Sequence, residues 1–248
     1  MIGGVFIFLI YIFLFAPIVV LVMFSFNAST SLAQWDGFSL KWYQMLFDDV
    51  SILQALSNSI EIAFMSMLLS GFLGLCIGLS TQRIFKKLPV LPIVLPEVVQ
   101  GLALLSFFIW LKIPLGKISV VLAHSSFGAA YVATMVRSRL KIIDPLLKDA
   151  AADLGARPLS AFIKVILPQL SPALISGMLI VFTMSFDDFI VSFFTAGVGS
   201  GTLPLKIYSM LKFGVTPVVN ALSTAILATS ILLITLAFWN QPREKKEI

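Results

Sequence analysis

Long apolar runs, separated by short charged or turn-rich segments, dominate the pattern of this chain. A helix needs about 20 apolar residues to cross about 30 Å of hydrocarbon. Six runs reach that length: Ile2 to Phe26, Asn58 to Thr81, Leu88 to Leu111, Ile118 to Val136, Pro172 to Ala196 and Pro217 to Asn240. The first has no basic residues ahead of it and is longer than the apolar stretch of a signal peptide, so it is read as a span. The pattern predicts an all-α integral membrane protein, one transmembrane domain over residues 1–248, with no soluble domain and no low-complexity linker.

Composition agrees. With 59% hydrophobic and 12% charged residues, and a mean hydropathy of +1.03, a soluble chain could not cover its surface with polar atoms. The net charge of +5 would point to nucleic acid in a soluble protein. Here the basic residues sit between the runs and act as topology signals. With the N-terminus inside, twelve of the 17 fall in cytoplasmic segments: Arg83, Lys86, Lys87, Arg137, Arg139, Lys141, Lys148, Arg157, Lys164, Arg243, Lys245 and Lys246. Lys41, Lys112, Lys117, Lys206 and Lys212 remain outside, so both termini are expected in the cytoplasm.

Two connecting segments are too long to be turns. Asn27 to Ser57 mixes Trp35, Trp42 and Tyr43 with Asp36, Asp48 and Asp49, which suits either the membrane interface or a docking partner. Residues 141–171 are amphipathic. Their core, DAAADLGARPLSAFIKVILP from Asp149 to Pro168, reads as an alanine-rich helix (Asp149 to Leu154), a stop at Gly155, and a second helix (Pro158 to Ile166) ended by Pro168. Small residues let such a helix enter a groove, and Lys148, Asp153 and Arg157 can set its register. An ordinary interfacial helix is the competing reading.

Four acids lie within the runs: Glu61, Glu97, Asp187 and Asp188. An ionised carboxylate at the bilayer centre costs about 2.5 to 3.5 kcal/mol or more, so such groups face a cavity or a partner. Glu61 lies near a span end and is read as solvated. Glu97 is about 13 Å in from Leu88, near the midplane, and Asp187 about 22 Å from Pro172. Pro92 and Pro96 remove backbone donors just before Glu97, so the third run is expected to kink or break there. Successive helical residues point about 100° apart, so Asp187 is expected to face the pathway and Asp188 to pair with a neighbouring helix. Phe186, Phe189, Phe193 and Trp110 are candidate cation-π and apolar contacts. Pairing of these acids with cations of a partner protein is the alternative. His124 reads as a hydrogen-bonded core residue, Cys76 and the Gly71, Gly74, Gly78 stripe as packing, and no metal site is expected.

The spacing acidic-Ala-Ala, three residues, Gly, nine residues, aliphatic, one residue, Leu-Pro resembles the EAA loop in the permease subunits of bacterial ABC importers. It is carried by Asp149, Ala150, Ala151, Gly155, Val165, Leu167 and Pro168, with Asp149 where the family usually has glutamate and Val165 where it usually has isoleucine. The resemblance covers almost the whole chain and is nearest to the second permease of spermidine/putrescine importers. It is carried there by QWDGFSLKWY (Gln34 to Tyr43), LPEVVQGLALL (Leu95 to Leu105), MSFDDFIVSFF (Met184 to Phe194) and LPLKIYSMLKFGVTPVVNAL (Leu203 to Leu222). Met1 to Gly4 departs from it by carrying no basic residue.

The resemblance implies a type I ABC importer permease fold in a bacterial inner membrane. It further implies a homologous permease, a dimer of ATP-binding subunits docking on the loop, an external binding protein and a polyamine cargo. No G-x-x-x-x-G-K-[ST] phosphate loop occurs in the chain, so ATP and Mg are expected only in the partner ATPase and the chain itself is not an enzyme. Another small cargo, such as ferric iron or an aminophosphonate, is the nearest alternative. An ion-coupled secondary transporter is the more distant one, for which no inverted repeat is evident.

Overall fold

The computed structural model describes residues 2–30, 34–80, 82, 90–212, 214 and 216–239, and among these there are helices and no named strand. In chain order the helices are α1 (Ile2–Ser25), α2 (Lys41–Asp48), α3 (Val50–Leu79), α4 (Val90–Val94), α5 (Glu97–Trp110), α6 (Lys117–Leu140), α7 (Leu146–Asp153) and α8 (Pro158–Ala161). A π-turn (Phe162–Ile166) leads into α9 (Leu167–Asp187), followed by α10 (Ile190–Thr195), α11 (Leu203–Lys212) and α12 (Pro217–Trp239). Among the described residues four stretches are long and apolar enough to cross a membrane: Phe6–Ser25, Val50–Leu79, Lys117–Leu140 and Pro158–Asp187. The third and sixth expected runs appear as shorter apolar helices, Glu97–Trp110 and Pro217–Leu232. Arg83, Lys86, Lys87, Arg243, Lys245 and Lys246, half of the residues behind the expected orientation, lie outside the described residues.

Two boundaries differ from the hydropathy reading, and the third run breaks where its prolines predict a break. The second span starts at Val50 rather than Asn58, because the Asp49 carboxylate accepts the N–H groups of Ser51 (2.8 Å) and Ile52 (3.3 Å) as an N-cap. The third breaks completely at Leu95 and Pro96. The fifth starts upstream of Pro172, since Pro168 does not end the amphipathic helix but sits in the first turn of α9. Before it, the Leu167 N–H reaches back five residues to the Phe162 carbonyl. This widened turn makes room for a proline ring that would otherwise collide with the carbonyl four residues earlier.

The chain divides into two compact units, Met1–Leu53 with Ile207–Ile248, and Gln54–Lys206. In the first, α1 and α2 each pack on α12. The segment after α1 folds back on Asn27, whose side chain donates to the Gln34 carbonyl (2.6 Å) and accepts from the Asp36 N–H (2.9 Å). Trp42 is buried with its indole N–H on the Asn27 carbonyl (2.6 Å), whereas Trp35 is half exposed. The two tryptophans therefore do different work: Trp42 braces the hairpin and Trp35 remains available at its surface.

In the second unit α6 is the central element, with Val120, Ala123, Val132, Ala133 and Val136 all fully buried. Its neighbours approach closely because the contacts are made by glycine. A Cβ on Gly74 would lie 2.5 Å from the Val132 Cβ, one on Gly78 2.8 Å from a Val136 methyl, and one on Gly71 2.8 Å from the Met178 sulfur. The glycine stripe of α3 thus seats it on α6 and α9, as its spacing suggests. Arg137 and Arg139, beyond any topology role, donate to the carbonyls of Ile77 (2.8 Å) and Gln169 (3.0 Å).

Candidate functional site

Two interrupted helices meet at a cavity of about 560 Å³ within the second unit. The first interruption separates α4 from α5. Pro96 is extended (φ −58°, ψ 136°), and the carbonyls left without helical donors are met by one side chain: Gln100 Nε2 donates to Pro92 (2.6 Å) and Leu95 (2.8 Å). The second separates α9 from α10. Asp188 is extended (φ −64°, ψ 125°) and its carboxylate accepts the N–H groups of Val191 (3.3 Å) and Ser192 (2.7 Å), capping α10.

The cavity is lined by the breaks and by α6. Pro92, Ile93, Leu95, Glu97 and Gln100 come from the first break, Met184 to Val191 in part from the second, and Phe127 and Tyr131 from α6. Three carboxylates, Glu97, Asp187 and Asp188, are among the lining groups, and among the described residues no lysine, arginine or histidine is. α9 also ends here, bringing the negative end of its dipole. Such a site suits a cation with apolar character: carboxylates for charge, aromatic faces for amines and methylenes.

The acids are not equivalent. Asp188 pairs with His124 of α6, Oδ2 to Nε2 at 3.2 Å, as expected of an acid directed at a neighbouring helix. A carboxylate only accepts, so Nε2 bears the proton in that bond. The other ring nitrogen bonds the Ser185 hydroxyl at 2.6 Å, and the Ser192 hydroxyl lies 3.2 Å from Nε2. His124 is fully buried, a bonded core residue. Asp187 and Glu97 are exposed to the cavity.

Phe189 lines the cavity, but three other candidates from the sequence do not: Phe193, 56% exposed, packs on Phe189 and Phe194 (centroids 5.8 and 5.5 Å), and Trp110 and Phe186 lie elsewhere. Trp110 lies 13 residues along α5 from Glu97, about 20 Å by helical rise, and is 76% exposed. Phe186 turns away from the cavity one position before Asp187 and stacks on Phe182 (6.3 Å, 13°). Phe127 and Tyr131 line the cavity instead. Their signal was spacing: with His124 they recur at i, i+3 and i+7, one face of α6. Glu61, read as solvated, is an ion pair with Lys117 (2.6 Å) whose side chains remain about 40% exposed.

The loop region forms a second candidate surface. α7 ends in a Schellman motif: the Gly155 N–H donates to Ala152 (2.8 Å), the Ala156 N–H to Ala151 (2.9 Å), and Gly155 has φ +79°. Ala151 is buried against the π-turn side, while Asp149, Ala150, Gly155 and Pro168 are exposed and Leu167 is half-buried. Around them Leu146, Leu154 and Leu159 project, with Leu154 89% exposed. These leucines escaped the sequence reading because amphipathicity alone does not say which apolar side chains the fold leaves uncovered.

Apolar helices of spanning length, two interrupted helices at an acidic cavity and a capped helix-turn-helix are the features of a membrane transport permease. The chain belongs to the family of binding-protein-dependent transport system inner membrane components, matched over residues 2–244. It is 36% identical over 249 residues to the putrescine transport system permease protein PotI of Escherichia coli (strain K12), covering 95% of this chain and 89% of that protein. It is 39% identical over 239 residues to the spermidine/putrescine transport system permease protein PotC of Haemophilus influenzae, covering 94% and 93%. Among solved structures it matches a bacterial ABC transporter involved in the import of the acidic polysaccharide alginate, with a TM-score of 0.76, 14% identity and coverage of 97% and 95%. At that identity the likeness is one of fold.

Proposed function

We propose that this chain is one permease of an ATP-driven polyamine importer, forming half of a path for putrescine or spermidine in a bacterial inner membrane with both termini in the cytoplasm. The observation that carries the cargo reading is the cavity lined by Glu97, Asp187 and Asp188, with no basic lining group among the described residues. An anion such as an aminophosphonate would be repelled there, whereas a polyamine places ammonium groups against carboxylates and methylenes against Phe127 and Tyr131. The relatives named for putrescine and spermidine transport support the same assignment.

Energy enters at residues 141–171. Asp149, Ala150, Ala151, Gly155, Leu167 and Pro168 present the surface on which an ATP-binding subunit docks, and ATP and Mg belong to that partner. The π-turn and α9 form one continuous run to Asp187, so a push at the loop is delivered about 30 Å away, by the rise of α9 from Leu167. A homologous permease completes the path and an external binding protein delivers the cargo.

The test is ATP-dependent uptake of radiolabelled spermidine and putrescine by the reconstituted complex. Asp187→Asn and Glu97→Gln should each lower uptake at least about fivefold, equivalent to ~1 kcal/mol, while the complex still assembles. Unchanged uptake in both variants removes these acids from the path.

A further inference from the structure

We propose that His124 is a positioning residue for the cargo-facing acid: by clamping both sides of the α9–α10 break, it holds Asp187 at the cavity wall. This rests on the reading of the cavity as a polycation path.

A histidine that merely filled core space would need one partner. His124 has three, and they straddle the break. Ser185, on its Nδ1 side, belongs to the last turn of α9; Asp188 is the break itself; Ser192 belongs to the first turn of α10. The ring is anchored in α6, packed against Phe127 with centroids 5.5 Å apart, within the apolar cluster of Phe108, Ala123, Phe127 and Val191. One side chain of a rigid helix thus spans the two halves of an interrupted one.

The consequence falls on Asp187. Its Cα is one trans peptide from that of Asp188, about 3.8 Å. Asp188 is held by His124 and by two backbone N–H groups of α10, and Ser185, two residues upstream, is held by the same ring. The backbone on each side of Asp187 is therefore pinned while its own carboxylate is left for the cavity. Two adjacent acids divide the labour: Asp188 maintains the break and Asp187 meets the cargo. Without the clamp the break could close toward a regular helix or open further, and either movement displaces the Asp187 carboxylate from the path.

The experiment uses the complete transporter in proteoliposomes, with spermidine as the probe and rates normalised to assembled complex. His124→Leu conserves volume and abolishes the bonds. It should raise KM about tenfold, the change carried by a hydrogen bond to a charged group, with a smaller effect on Vmax. His124→Gln, whose amide can donate to Asp188, should return KM to within about threefold of wild type. In an Asp187→Asn background His124→Leu should add less than about twofold, because the acid it positions is already lost. If His124→Leu fails to assemble, Ser185→Ala removes one arm of the clamp and should raise KM by itself. An unchanged KM in the assembled variant, or an equal effect with and without Asp187, overturns the positioning role alone. Absence of polyamine uptake by the wild-type complex overturns the cargo reading and this proposal together.

Discussion

Replacing Gly155 tests how the loop geometry serves ATPase docking. The residue closes α7 with φ +79° and donates to Ala152, while Ala156 donates to Ala151. A Cβ built there meets nothing within 4 Å among the described residues, so the first side-chain atom finds open space. The whole cost is conformational. An L-residue in the left-handed region loses about 1 to 2 kcal/mol, with asparagine at the low end and β-branched residues at or above the high end. If the capped conformer alone docks, that penalty weakens apparent affinity about 5- to 30-fold, at one decade per 1.4 kcal/mol. Titrating labelled ATPase subunit onto the permease in nanodiscs should therefore rank wild type, Gly155→Asn and Gly155→Val in falling affinity. Wild-type affinity for Gly155→Val refutes the argument. So does an asparagine variant as weak as the valine one, because the loss would then come from side-chain bulk against the partner rather than from backbone strain.

Three other outcomes follow from packing and exposure. Gly74→Val drives its side chain into Val132 and the Ala129 carbonyl (2.9 Å) and should destabilise the α3–α6 contact by about 1 to 3 kcal/mol, read as a lower Tm of the purified permease. Gln100→Leu leaves the carbonyls of Pro92 and Leu95 without their donor, costing about 1 to 3 kcal/mol for two bonds, and should depress uptake through Glu97 without loss of assembly. Trp110→Ala, at a side chain 76% exposed and remote from the cavity, should leave spermidine KM within about twofold; a large rise would return Trp110 to the path.

The extent to which this protein was legible in its residues varied with the range of the interaction involved. Asp149-Ala150-Ala151 and Gly155 announced a helix and its stop because a Schellman cap is written within six consecutive residues. Asp188 was expected to diverge from Asp187 by helical angle, whereas the divergence comes from the break at Asp188, and its partner could not be named, since His124 lies 64 positions away and meets it only when α6 packs beside α9. Pro92 and Pro96 signalled a break, but Gln100 as its clasp was invisible, as a glutamine four residues on is an ordinary helical residue until carbonyls are freed for it. The misreadings had the same origin. Pro168 looked like a stop because proline lacks a donor, and the π-turn before it absorbs that defect. Trp110 looked like a lining group because its depth along α5 could not be weighed against the location of the cavity.

Hydropathy alone determined that this is a membrane protein with apolar helices of spanning length, because transfer into hydrocarbon depends on each side chain singly and sums along the chain. Local rules added the proline break, the capped loop and the glycine stripe. Which side chains converge was decided by tertiary structure: that Phe127 and Tyr131 rather than Phe186 and Trp110 face the cavity, and that Asp188 pairs with His124 while Asp187 is exposed at the cavity wall. Convergence depends on crossing and rotation of helices far apart in sequence, set by contacts such as Gly74 on Val132 and Gly101 under Phe194, where a Cβ would lie 2.6 Å from the ring, which no local pattern records.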